Sequence, residues 1–398
     1  MTTPRTARRI AGLRPTAMNA ILAEARALQQ SGRSVVSLAR GEPDLPTPAH
    51  VVEAAAAALR AGRTGYPHNQ GELALREAVA AKLRRQGLDY SPVDEILVTT
   101  GATLGIAAVM AAVLDPGDEI LVPEPIYDAY QSPIALVGGV SVAVPAGIRD
   151  NRFSISTDRL EKAYTPRTRA MLLNTPWNPT GTVLRRDELT EIAAIAEARN
   201  LVVISDEIYE SIVYDGRQHV SPASLSPDAR RRTVLINSFS KTYAMTGWRL
   251  GYCAGPAHLI EATYLVLQQS SRGPATFVQD AGVAALNGPQ ECVAAMQAEY
   301  ARRREQVSAA LSGLDGMRVL PPEGGFFTML DVRGLGIPSD EIRRRLLHEQ
   351  GVVVVHGSAY GPAGEGTLRV SFASGGKNLT DGLERLRKGL TAIAATFT

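Results

Sequence analysis

Cysteine is almost absent from this 398-residue chain. The two present, Cys253 and Cys292, cannot build a disulfide framework, and such usage fits a reducing compartment, the cytoplasm. Long apolar runs are missing too: the longest, Leu104 to Leu114, is too short to cross a bilayer. Neither sign of charge is in excess. The 42 Lys and Arg stand against 40 Asp and Glu, a formal net charge of +2, which leaves no broad field for nucleic acid or an anionic membrane. The 6 histidines are scattered without metal-ligand spacing, so no metal site is expected. Lysine is scarce, being confined to Lys82, Lys162, Lys241, Lys377 and Lys388.

What is present is a globular balance, 45% hydrophobic and 21% charged, over a length that implies more than one core. Met1 to Ile10 is basic, and no apolar stretch of signal-peptide type follows. No acid precedes Glu24, as in a transit peptide, but the segment is read as a basic arm leading into a helix over Thr16–Gln30.

From Glu95 onward, short branched apolar runs end in Gly, Pro, Asn, Asp or Ser, and a helical stretch usually follows. The runs are Ile96–Thr99, Ile120–Val122, Ser141–Val144, Ala170–Leu173, Leu201–Ser205, Thr233–Ile236 and Leu250–Ala254, with helices at Thr103–Leu114, Arg186–Arg199 and Ala257–Gln269. Runs apolar on both faces between helices predict an α/β fold with a mostly parallel seven-stranded sheet flanked by helices. The last third predicts a smaller α+β unit, with strands at Gly325–Leu330, Val352–Val355 and Leu368–Phe372 and helices at Ser339–Glu349 and Asn378–Ala394. The expected division is an N-terminal arm and helix over 1–47 packing with the small domain, a large domain over 48–285, and the small domain over 286–398.

In open α/β sheets, ligands bind beyond the carboxyl ends of the strands. The residues expected on that rim include Ala102 and Thr103 at a helix start, Tyr127, Asn178, Asp206 with Tyr209, and Ser238 with Lys241. Lys241 ends an apolar strand, whereas the other four lysines lie in polar or charged stretches and read as solvated. Burial would lower its pKa and favour Schiff-base chemistry, although a lysine capping a strand beside Asp206 would fit the same pattern.

Ser238-Phe239-Ser240-Lys241, followed by Gly247-Trp248-Arg249-Leu250-Gly251, resembles the cofactor-lysine motif of the class I/II aminotransferases, pyridoxal-phosphate enzymes of fold type I. Gly41-Glu42-Pro43-Asp44, Tyr66 with Gly71, Asn178-Pro179-Thr180-Gly181, Asp206-Glu207-Ile208-Tyr209 and Arg369-Val370-Ser371-Phe372 follow the family's order, so the resemblance spans nearly the whole chain.

The resemblance implies pyridoxal 5'-phosphate as cofactor and transfer of an amino group from an L-α-amino acid to a 2-oxo acid by ping-pong chemistry. Lys241 would carry the cofactor as a Schiff base and then move the proton at the substrate's α-carbon. Asp206 would pair with the pyridine nitrogen, and Asn178 and Tyr209 would bond the ring's 3′ oxygen. Ala102, Thr103, Ser238 and Arg249 would hold the phosphate, and Tyr127 would stack on the ring. Arg369, helped by the Gly41 N–H and Asn178, would clamp the substrate carboxylate. Tyr66 would reach the neighbour's phosphate, which implies a homodimer.

Several positions depart from the family pattern. Trp177 and His356 stand where many relatives have Asn and Pro. Thr103 stands where an aspartate-type subgroup has lysine, which argues against a dicarboxylate specialist. Arg272 reads as a surface arginine or a second anion site, and His356 and Tyr360 read as either packing or side-chain pocket. A lyase or cyclase could share the same cofactor site. A regulatory protein on this fold would carry an N-terminal DNA-binding unit, and no helix-turn-helix pattern is evident before the large domain.

Overall fold

Residues 6–10, 13 and 15–396 are described by the computed structural model of the chain. The start of the basic arm, Met1–Arg5, lies outside the described residues. The first helix, α1 (Ala17–Gln30), begins where Thr16 caps it, its hydroxyl accepting the N–H of Asn19. Then come β1 (Val36–Ser37), α2 (Ala49–Arg60), α3 (Leu73–Arg85), β2 (Ile96–Thr99), α4 (Ala102–Val113), β3 (Glu119–Glu124) and β4 (Val140–Pro145). A hairpin of β5 (Gly147–Arg149) and β6 (Arg152–Ser154) precedes β7 (Thr168–Asn174), β8 (Val202–Asp206), β9 (Thr233–Ser238) and β10 (Gly251–Ala254). The chain closes with β11 (Arg318–Leu320), β12 (Phe327–Asp331), β13 (Val352–Val353), β14 (Val355–His356) and β15 (Thr367–Ser371).

The large sheet has 7 strands in the order β2-β10-β9-β8-β7-β3-β4. Its ladders are parallel except those of β10, which runs antiparallel to both β2 and β9. The inner strands are buried on both faces, which explains why they read as continuous apolar runs. Because β10 is reversed, its start reaches the rim where its neighbours end. The loop before it, with Arg249, therefore joins the residues that follow β2, β3, β7, β8 and β9.

The second sheet has 4 strands in the order β11-β12-β15-β14. The run expected over Val352–Val355 is split: β13 pairs in parallel with β1, and β14 pairs with β15. The helix expected over Ser339–Glu349 is regular only over Ser339–Arg345 and widens to a π turn over Leu346–Gln350. A long helix, Glu291–Leu311, lays Met296, Tyr300 and Val307 into the core beneath this sheet.

One expectation is overturned. Lys82 is not solvated: only 14% of its side chain is exposed, and it is bonded to the buried Glu210 and, at 2.8 Å, to the Tyr252 hydroxyl. The basic run on α3 faces water in sequence terms, but this position turns toward the sheet. Burial opposes the ammonium charge, yet Glu210 and Tyr252 together outweigh it and hold the lysine pKa above its ordinary value. Removing one partner of a buried pair leaves the other uncompensated, at about 3–5 kcal/mol. Lys82→Ala should therefore lower the thermal unfolding temperature markedly, and the double variant Lys82→Met with Glu210→Leu should recover most of that loss. Calorimetric scans of the three proteins check this ordering.

Candidate active site

The carboxyl rim of the large sheet, the start of α1 and the second sheet together enclose a cleft of about 510 Å³. It is lined by Gly41, Ala102, Thr103, Tyr127, Asn178, Asp206's partner Tyr130, Tyr209, Ser238, Lys241, Arg249 and Arg369, among others. Of the residues predicted from sequence, Asp206 lies just behind this lining, bonded to Tyr130, and Tyr66 lies elsewhere in its own chain. It is 91% exposed and borders a separate depression with Pro67, His68, Asn69, Tyr264 and Arg272.

Lys241 follows β9 on a single helical turn, Phe239–Thr242. Its Nζ donates to the Gly41 carbonyl at 2.6 Å and lies 5.7 Å from the centre of the Phe326 ring. Burial lowers its pKa to about 8; Arg249 and Arg369 push the same way, and Glu42 and Asp206 oppose. The ammonium thus gives up its proton more readily than an exposed lysine does.

Asp206 ends β8 and is 2% exposed. Its Oδ2 accepts from the Tyr130 hydroxyl, and its Oδ1 accepts from the Ile208 N–H at 3.2 Å. Burial pushes its carboxyl up to about 6, although both of those bonds favour the anion. Burial also holds the phenols of Tyr130 and Tyr209 well above their ordinary range, so both remain hydrogen donors.

Arg369 comes from β15 and is 2% exposed. It donates to the Asn178 side chain at 3.2 Å and to the Ala39 carbonyl at 2.5 Å, while its Nε has no partner. The guanidinium lies 4.3 Å from the centre of the Phe327 ring and 5.1 Å from that of Tyr360. Among the described residues no carboxylate pairs with it. A buried, unneutralised cation is costly unless an anion arrives.

A second anion-binding corner lies at the start of α4. The first N–H groups of a helix have no internal partner, and the dipole favours negative charge there. Gly101, at φ +77°, turns the chain into the helix, and a Cβ on it would stand 2.5 Å from Nη2 of Arg249. Arg249 itself adopts the left-handed conformation, φ 56°, which bulky residues rarely enter without compensation. Ser238 caps the turn carrying Lys241 by accepting the Ser240 N–H at 3.0 Å. Backbone donors, hydroxyls and a guanidinium therefore converge where a phosphate fits.

The departures noted in the sequence separate cleanly. Trp177 is buried in the core under β7 and does not line the cleft. His356 bonds to Ser358 at 2.8 Å and faces Asp340, also away from the cleft. Tyr360 does line it. Sequence reasoning missed Tyr130, Asp128, Asn174, Arg40, Phe327 and the α1 residues Met18, Asn19 and Leu22. Tyr130 had a usable signal, since it lies three residues beyond Tyr127 on the same rim turn, its ring 5.5 Å from that of Tyr127 and edge-on to it.

A buried amine and a buried acid on the rim of the large sheet, facing an unneutralised arginine from the second sheet across one cleft, define an enzyme for small anionic substrates. Known proteins make the class specific. The family model for aminotransferase class I and II matches residues 33–386. The aromatic-amino-acid aminotransferase 2 of Thermococcus litoralis is 41% identical over 91% of this chain and 93% of its own. The aspartate aminotransferase of Geobacillus stearothermophilus is 37% identical over 98% and 99%. The crystal structure of the aspartate aminotransferase from Rhizobium meliloti superposes with a TM-score of 0.93 at 36% identity, over 98% of this chain and 99% of that one. The chain belongs to the class I and II aminotransferases, and its activity is that of a transaminase. No helix among the described residues is long and apolar enough to cross a membrane.

The raised pKa of Asp206 has a consequence for the cofactor-free protein. Between the ordinary value of 3.8 and about 6, the folded state binds more protons at this site than the unfolded state. Its contribution to stability is therefore complete at low pH and is lost as pH rises through that window. Asp206→Asn does not titrate. Its melting temperature relative to the parent should rise from pH 4 to pH 6 and then level off, as measured by scanning calorimetry of cofactor-free protein.

Proposed function

We propose that this chain is a pyridoxal-phosphate-dependent aminotransferase that moves an amino group from an L-α-amino acid to a 2-oxo acid in two half-reactions. The carrying observation is the pairing of a buried lysine amine with a buried arginine that lacks a carboxylate, both facing one cleft. Chemistry at the α-carbon needs the first, and an α-carboxylate satisfies the second.

The donor set fits the cofactor. Ala102, Thr103, Ser238 and Arg249 would hold its phosphate, Asp206 its ring nitrogen, Asn178 and Tyr209 its ring oxygen, and Tyr127 one ring face. When bound, pyridoxal phosphate supplies an aldehyde that takes up the amino group and a ring that accommodates the electrons left at the α-carbon.

The side chains do the rest. Lys241 would attach the cofactor, and its amine, once free, would move the proton at the substrate's α-carbon. Asp206 would keep the ring nitrogen protonated, and the Tyr130 hydroxyl fixes the orientation of that carboxylate. Arg369 and the Gly41 N–H orient the substrate through its carboxylate, so that the α-hydrogen faces Lys241. Met18, Asn19 and Leu22 of α1 narrow the opening and limit water.

The exposure of Tyr66 beside Arg272 supports a homodimer in which Tyr66 completes the partner's phosphate site. The pairing of β1 with β13 supports a small domain built from segments 1–47 and 286–398, with 48–285 as the large domain. The low cysteine content supports a cytoplasmic location.

The protein should be yellow, and borohydride should fix the cofactor to Lys241, as read by peptide mass. Lys241→Ala should lose roughly 10²–10⁴-fold in turnover. Arg369→Ala removes charge-assisted bonds worth about 1.5–3 kcal/mol each and should raise KM for carboxylate substrates at least about tenfold. Normal turnover in Lys241→Ala refutes the assignment. Ammonia released without an acceptor acid would point to elimination instead.

A further inference from the structure

The relatives' names cover aromatic, acidic and basic donors, an arginine–pyruvate transaminase of Pseudomonas aeruginosa among them. The preference of this chain for a side chain must therefore be read from its own cleft. Three buried polar atoms there have no partner among the described residues: Nε of Arg369, the Tyr360 hydroxyl and Oδ2 of Asp128. Buried polar groups are normally satisfied, so an orphan in a cleft marks where a ligand atom is missing. Two of these three are donors that suit a carboxylate. The third is an acceptor, and it calls for the opposite chemistry.

Asp128 opens the turn Asp128–Tyr130 after β3, between the ring-facing Tyr127 and the acid-orienting Tyr130. Its carboxylate accepts from the backbone N–H groups of Met18 and Ala17 at the start of α1. Those bonds fix the group in place without using Oδ2. Burial raises the pKa of its carboxyl while the Arg369 charge opposes, and its own charge helps to raise the Tyr360 phenol, so it stands near the carboxylate-binding corner. The cleft's other ionisable groups are already engaged or remote. Lys241, Asp206 and Arg249 serve the cofactor, Glu42 is exposed and accepts from Thr246 at 2.9 Å, and Arg40 is exposed at the rim.

We infer, resting on the transaminase reading above, that Asp128 selects the amino donor's side chain, receiving a cationic amine or guanidinium on Oδ2 while Arg369 and Tyr360 hold the α-carboxylate. An acidic side chain placed there would meet a fixed like charge, which discriminates by repulsion as well as by lost attraction. A neutral side chain would leave the carboxylate desolvated and unpaired. Asp128 is a specificity residue in this account, and no bond to it is made or broken.

The test uses the holoenzyme and two readouts. Half-reaction rates, from loss of the aldehyde absorbance, are measured with L-arginine, L-norleucine and L-glutamate. L-Arginine should exceed L-norleucine in kcat/KM by about tenfold or more, mainly through KM, with L-glutamate poorest. Asp128→Asn keeps the acceptor for Met18 and Ala17 and should reduce the arginine-to-norleucine ratio to within about threefold. The second readout needs no turnover. By calorimetry, 4-guanidinobutanoate, which cannot condense with an aldehyde, should bind the parent about fivefold or more tighter than hexanoate, and equally to Asp128→Asn. Equal binding of the two acids by the parent, an unchanged ratio in the variant, or a preference for L-glutamate that depends on Arg40 would overturn the inference. If no donor converts at all, the transaminase reading fails, and the calorimetric comparison still decides the role of Asp128.

Discussion

The molecule is organised around charges that it keeps out of water without neutralising them. Taking an arginine or lysine into a protein interior costs several kcal/mol unless a counter-charge comes with it. Arg369 receives only a carbonyl, an amide oxygen and two aromatic faces. Lys241 receives one carbonyl and the edge of a hydrophobic cluster. Neither set matches what water would give. The free protein therefore carries a deficit at Arg369 that an incoming anion can make good. The deficit is tolerable because the surrounding core is large: the inner strands of a seven-stranded sheet are fully buried, with helices over them.

The contrast with Lys82 sharpens the point. It too is a buried lysine, yet Glu210, Tyr252 and, beyond them, Gln86 satisfy it and its partner. That group is structurally complete and chemically quiet, its pKa raised and its proton held. At Lys241 burial without a direct carboxylate partner has the opposite effect, bringing the amine's pKa down to about 8. Burial is common to both. The partner decides whether a lysine becomes scaffold or reagent.

Much of this was legible because it depends on short-range pattern. Strands buried on both faces leave continuous branched runs, and the turns at their ends announce themselves with Gly, Pro, Asn and Asp. That fixed the rim, and the rim fixed Asp206, Asn178 and Lys241 as neighbours. What escaped depends on partners distant in sequence. The bond from Tyr130 to Asp206 spans 76 positions, and that from Lys82 to Glu210 spans 128. Helical spacing did place Lys82 on the buried side of α3, three residues beyond Val79 and seven beyond Leu75, but its partner could not be read from that spacing. The reversed direction of β10 was likewise invisible in its composition, though it is what carries Arg249 to the phosphate corner.

The same distinction separates what the family shares from what this chain chooses. Asp206, Ser238 and Lys241 sit at strand ends of the large sheet, where strand spacing and register hold them in one constellation. The outer wall of the cleft has a different origin. It is built from α1, from the turn bearing Asp128 and from the loop bearing Tyr360, three segments that meet only through tertiary packing. An acid after Tyr127, as Asp128 is here, sets the charge of that wall without involving the strand ends. The relatives' names carry different donors on one shared fold, and a wall assembled from segments distant in sequence is where such differences can arise while the strand ends stay as they are.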